Sequence, residues 1–153
     1  MAIDTAPRSR PMPRAAAILW LLSALFLARV VGQILVAFLG VTFLPPMPEW
    51  YSGLLPYHLL LPSQVAILAL MLWINLGIGR GTGVFGQDHP RFARFLLLFA
   101  LLYAGAMAVR YVVSGQLHPE RRFWPPGSIP IVFHFVLAGY LFLVSRLLRR
   151  DAA

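Results

Sequence analysis

Hydrophobic residues along the chain group into four long segments, which shorter polar and proline-rich stretches separate. The segments cover approximately residues 15–43, 58–79, 93–114 and 128–148. Each is long enough to cross a hydrocarbon core of about 30 Å at a rise of about 1.5 Å per helical residue. Because lipid offers the backbone no hydrogen-bond partners, such segments must be helices. The pattern therefore predicts an all-α membrane protein with four transmembrane helices in an up-down bundle.

The same pattern predicts a single transmembrane domain over residues 15–148, with an N-terminal arm at 1–14 and a short tail at 149–153. The arm and the start of the first segment also have the basic and apolar regions of a secretory signal peptide. Since the apolar run continues to Leu44, we favour an uncleaved signal anchor over a cleaved leader.

The composition mainly excludes certain classes of protein, site and partner. Charged residues make up 12% of the chain and hydrophobic residues 59%, whereas a soluble domain has about 25% charged residues. Cysteine is absent, which excludes disulfides and thiolate metal sites. The net charge of +8 would suit a nucleic-acid partner, but eleven of the thirteen arginines lie at segment ends or in connections. Membrane topology explains these arginines, so we expect membrane lipids and no nucleic acid as partners.

The arginines at the segment ends predict the orientation. Nine lie in the N-terminal arm, the second connection and the C-terminal end, whereas two lie in the third connection. Basic residues accumulate on the cytoplasmic side of membrane proteins. We therefore expect a multi-pass protein of the cell inner (plasma) membrane with both termini in the cytoplasm. The second connection also contains the glycine pattern of a dinucleotide site at residues 81–86, but no strand precedes it, so we interpret it as a cytoplasmic loop.

Two arginines, Arg29 and Arg110, lie inside the apolar segments, which contain no aspartate or glutamate. An arginine at the centre of a membrane costs roughly 2.5–3.5 kcal/mol on insertion scales. Counted from the cytoplasmic ends at about 1.5 Å per residue, polar residues of all four segments fall about 21–27 Å deep. This predicted polar layer consists of Arg29, Gln33, Gln64, Arg110 and His134.

Three interpretations of the polar layer remain open. It could be interhelical glue worth about 0.6 kcal/mol per contact. It could bind an anionic or quinone-like amphiphile, because arginines without acids are donors that lack an acceptor. A partner membrane subunit, or another copy of this chain, could instead supply a carboxylate. The leading hypothesis is a small, non-catalytic or accessory membrane protein whose layer binds an amphiphile or a partner helix.

The competing class is a small membrane enzyme that acts at the outer face on a lipid-like substrate. Its outer mouth would contain Glu49, His58, Tyr111 and Glu120. His134 would then act as acid or base, and Arg110 would orient an anion. A b-type haem between His58 and His134 is less favoured, since their expected depths are about 31 Å and 21 Å. We therefore expect no cofactor and no metal site.

Overall fold

The computed structural model describes residues 13–50, 56–81, 85, 89–119 and 128–149. Within these ranges all the regular secondary structure is helical, and no strand is found. Its helices are α1 (Pro13–Leu39), α2 (Met47–Trp50), α3 (Tyr57–Arg80), α4 (Pro90–Leu117) and α5 (Ser128–Leu148). All but α2 are long and apolar enough to span a membrane. The predicted all-helical class and its four membrane-length helices are therefore confirmed.

The long helices bury only a small part of their surface against one another. Between 11% and 33% of the most apolar stretch of each helix is buried inside the protein. Large apolar side chains point outward instead, including Phe38, Phe95 and Leu102, which are 66%, 61% and 74% exposed. Such an extensive apolar exterior is typical of a surface that contacts lipid or another protein.

The first helix ends earlier than the sequence pattern predicts. We expected α1 to reach Phe43 and to be stopped by the following prolines, but it ends at Leu39. Gly40 has a left-handed backbone with φ of +59°, and the amide of Val41 donates back to the carbonyl of Leu35 at 3.4 Å. Glycine adopts this conformation at no steric cost and so commonly terminates a helix.

The other helices also differ slightly from the predicted bounds. Helix α4 begins at Pro90 and ends at Leu117, three residues beyond the prediction at either end. Helix α3 ends at Arg80, and Gly81 caps it with a φ of +63° and an amide that donates to the carbonyls of Gly77 and Ile78. Pro62 lies inside α3, and it has no amide to donate to the carbonyl of His58 one turn earlier.

The packing places α1 between α3 and α5, while α4 packs mainly against α5. The short helix α2 contacts both α1 and α5. Buried apolar side chains from the long helices form one core, which includes Leu19, Phe26, Met71, Ala93 and Val144.

A chain of buried hydrogen bonds joins three of the helices. The Tyr140 hydroxyl of α5 donates to Asn75 Oδ1 at 2.9 Å and also lies 3.1 Å from the carbonyl oxygen of Met71. Asn75 Nδ2 of α3 donates to Ser23 Oγ of α1 at 2.9 Å. Ser23 in turn donates to the carbonyl of Leu19 at 2.9 Å. We call Tyr140, Asn75 and Ser23 the polar clasp, since it holds α5, α3 and α1 in register.

Candidate functional site

A cavity of about 150 Å³ lies inside the bundle, and all five described helices contribute to its wall. Its polar lining residues are Arg29, Ser63, Gln64, Tyr103 and His134. Its apolar lining residues are Phe26, Trp50, Leu60, Ile67, Pro130, Phe133 and Leu137. Ser63 is exposed, so the cavity reaches the protein surface at that residue. Polar, aromatic and aliphatic side chains thus all line the site.

Arg29 brings a positive charge into this cavity. The side chain is only 7% exposed, and its guanidinium carbon lies 6.0 Å from the ring centroid of Phe26 and 5.8 Å from that of Phe133. Both distances are within the range of a cation–π interaction. No hydrogen-bond partner for Nε is found among the described residues, and none of the four long helices contains an acidic residue. The aromatic rings therefore hold the guanidinium without neutralising it.

Two glutamines are buried without hydrogen bonds. Gln33 is 0% and Gln64 is 2% exposed, and within the described part of the chain neither the amide nitrogen nor the amide oxygen of either residue has a partner. Buried polar groups in folded proteins are nearly always hydrogen-bonded. Gln64 lines the cavity, whereas Gln33 lies one turn after Arg29 and outside the lining. Arg29 and Gln64 therefore both line the cavity, and both carry buried polar atoms without a partner among the described residues.

Tyr103 and His134 form a pair in the lining of the cavity. The Tyr103 hydroxyl is hydrogen-bonded to His134 Nδ1, and the two rings meet edge to face with centroids 5.5 Å apart. This bond joins α4 to α5 at the cavity wall. The sequence analysis missed Tyr103, although a tyrosine near the middle of an apolar helix is a signal that could have found it, since a buried hydroxyl needs a partner.

The structure brings three of the five residues of the predicted polar layer to one cavity, namely Arg29, Gln64 and His134. Arg110 is half-buried and outside the lining. It lies seven residues after Tyr103, which is about 10 Å further along α4. Counting residues along the segments predicts that Arg110 lies slightly deeper than Arg29, but the count does not specify how α4 is rotated about its own axis.

The described residues of the predicted outer mouth, Glu49, His58 and Tyr111, do not line this cavity. Glu49 lies in α2 beside the lining residue Trp50, while His58 and Tyr111 are exposed on α3 and α4. Tyr111 instead borders a separate cavity of about 160 Å³ with Val112, Gly115 and Gln116 on the same helix. Glu120 lies outside the described residues.

The two histidines proposed for a haem occupy different environments. His134 faces the cavity and bonds to Tyr103, whereas the exposed His58 is not part of the lining. In the ranges that the structure describes, no three histidine or acidic side chains come close enough together to hold a metal ion.

Trp50 closes one side of the cavity. Its indole nitrogen donates to the carbonyl of Pro45 at 2.8 Å, and its ring lies directly against Gly32 of α1. A Cβ atom at Gly32 would lie 2.7 Å from Trp50 Cη2, so only glycine leaves room for the ring there. The proline-rich connection thus contributes a wall to the site.

Comparison with known proteins gives no match, since no family model, curated protein or solved structure is significantly similar to this chain. A functional interpretation must therefore be argued from the geometry and chemistry of the cavity.

Proposed function

We propose that this chain is a small integral membrane protein, accessory in role, whose intramembrane cavity binds the head group of an amphiphile. The head group is one that accepts hydrogen bonds. Arg29 and Gln64 are side chains of the lining that can donate N–H groups to it, and the Tyr103–His134 pair lies in the same lining.

The observation that carries this proposal is the contrast between two buried polar groups in one small bundle. In the polar clasp, Asn75 bonds to Ser23 through its amide nitrogen and to Tyr140 through its oxygen. Both amide atoms of Gln64 lack partners within the described chain, although Gln64 is equally buried. If these polar residues only held the helices together, both Asn75 and Gln64 would be hydrogen-bonded. A binding site instead leaves hydrogen-bond donors free beside a cavity.

The size of the cavity supports an amphiphile over a compact soluble ligand. A site for a drug-sized ligand has about 300–1,000 Å³, whereas this one has about 150 Å³. A cavity of that volume holds a group of about the size of benzene. Only a head group enters, and a hydrocarbon tail leaves past the exposed rim at Ser63 into lipid.

We further propose an up-down topology in the inner membrane, with both termini in the cytoplasm. The bond between Ser23, near the start of α1, and Asn75, near the end of α3, supports opposite directions for these helices. The nine arginines of the arm, the second connection and the C-terminal end support a cytoplasmic location for those segments.

A membrane enzyme is the second candidate function, and the Tyr103–His134 bond at the cavity wall favours it. A histidine and a tyrosine are suitable groups for proton transfer to or from a bound molecule. The accessory role is preferred, because none of the described lining residues is a carboxylate and the lining serine, Ser63, donates to its own helix at the carbonyl of Leu60.

The test is to identify what copurifies with the protein. Wild-type protein, Arg29→Gln and Gln64→Leu are purified in mild detergent, and bound molecules are identified by mass spectrometry. Arg146→Gln and Gln116→Leu are matched controls, since both residues are exposed and outside the cavity. We expect one amphiphile enriched in the wild type and in the controls and lost from the cavity variants. Identical profiles in all five proteins, with folding intact, would refute the proposal, and a copurifying protein with a membrane carboxylate would replace it with a partner subunit.

A further inference from the structure

The charge balance of the cavity narrows the class of ligand. Arg29 is the one arginine among the lining residues that the structure describes, and none of these is acidic. A single positive charge in a poorly solvated site is neutralised by a single negative charge. A neutral carbonyl compound such as a quinone would accept the hydrogen bonds but leave the charge of Arg29 uncompensated.

The arrangement of the N–H donors in the cavity further narrows the class of ligand. A guanidinium is a planar fork that matches the two oxygens of a carboxylate. The rings of Phe26 and Phe133 lie on the guanidinium of Arg29 and restrict its orientation, while Gln64 brings a second side chain with N–H donors to the lining. A phosphodiester also carries one negative charge, but its phosphate and glycerol form a much larger head group than a carboxylate, and the cavity has only about 150 Å³.

The depth of the site agrees with a single-chain ligand. Arg29 lies sixteen residues after Pro13 and ten before Leu39, which is about 24 Å and 15 Å from the two ends of α1. The walls beside it are apolar, with Leu60, Ile67 and Leu137 in the lining. These side chains can cover the first methylene groups of a tail that continues into the bilayer.

We infer that the ligand is a long-chain carboxylic acid, held as its carboxylate by Arg29 with Gln64 as the second donor. This inference rests on the proposed function and specifies its head group.

The experiment is a competition assay on purified, delipidated full-length protein. Radiolabelled palmitate is the probe, and unlabelled palmitate, methyl palmitate and a decyl-substituted benzoquinone are the competitors. The ester keeps a carbonyl and the same chain but lacks the charge. We expect the ester and the quinone to compete at least about tenfold more weakly than the acid, which is the scale of one charge-assisted hydrogen bond.

Variants locate the effect. Arg29→Gln should weaken palmitate binding at least about tenfold and make acid and ester equal competitors, while Arg146→Gln should leave both unchanged. Arg29→Lys keeps the charge without the planar fork, so it should retain a preference for the acid with weaker binding.

The outcomes separate this inference from the proposed function. If the ester or the quinone competes as well as the acid in the wild type, the carboxylate is wrong but an amphiphile site remains. If none of the probes binds and no amphiphile copurifies, both proposals fail. The comparison of acid and ester in the wild type decides the question even if Arg29→Gln does not fold.

Discussion

Replacement of Gln33 by methionine should stabilise the protein. Gln33 is fully buried and lies outside the cavity lining, and neither of its amide atoms has a hydrogen-bond partner in the described ranges. A buried unsatisfied polar group costs about 1–3 kcal/mol in soluble proteins. Polar contacts in membrane proteins average only about 0.6 kcal/mol, which favours the lower part of that range. We therefore expect Gln33→Met, which keeps the length of the side chain, to raise the free energy of unfolding by about 1–2 kcal/mol.

The assay is thermal unfolding of delipidated protein in detergent, followed by circular dichroism at a helix wavelength. A stabilisation of 1 kcal/mol corresponds to roughly 2–4 °C for a chain of this size. Gln116→Met is the matched control, because Gln116 is exposed on α4 and should change stability by less than about 0.5 kcal/mol. A loss of more than about 1 kcal/mol in Gln33→Met would show that the amide is hydrogen-bonded in the folded protein. The contrast between the polar clasp and the unsatisfied glutamines would then fail.

Three further predictions concern the clasp, the cavity wall and the topology. Asn75→Leu and Tyr140→Phe should each destabilise the protein by about 0.6–2 kcal/mol and, combined, by less than their sum, since they share one bond; additive effects in chemical unfolding would contradict the network. Gly32→Ala should displace Trp50 and lower ligand occupancy in mass spectrometry of the intact protein, while Gly139→Ala, which has open space around it, should not; equal occupancy in the two variants would contradict the wall. A fluorescent protein fused to the C-terminus should fluoresce and an alkaline phosphatase fusion should be inactive, whereas the reverse would overturn the cytoplasmic orientation.

Much of the fold follows from one-dimensional properties of the chain. The length and hydropathy of the segments give four membrane-length helices, because a lipid environment forces an apolar stretch of that length into helix. The end of α1 did not follow, since Gly40 stops the helix before the prolines that the prediction used. The hydropathy pattern also does not predict the short helix α2, because four residues are too few for a periodic pattern.

The candidate site was partly predictable. Depth along each helix placed Arg29, Gln64 and His134 at one level, and these residues share a cavity. Depth alone also selected Arg110, which is half-buried outside that cavity. Which side chains at one level face each other depends on the rotation of each helix, and this is determined by packing against neighbours. Tyr103 was missed because its hydroxyl gains a role only when α5 brings His134 to it.

Pro62 gives the wall of the cavity an uneven mechanical strength. It removes one backbone hydrogen bond from α3, at the carbonyl of His58, and Ser63 and Gln64 follow it directly. The first turn of α3 is thus joined to the rest of the helix by fewer bonds than any later turn. Bending there moves the lining residue Leu60, which precedes Pro62, while Gln64 and the polar clasp at Asn75, about 20 Å after Pro62 along the helix, stay in place. We expect the wall of the cavity to be displaced more easily at Leu60 than at Gln64.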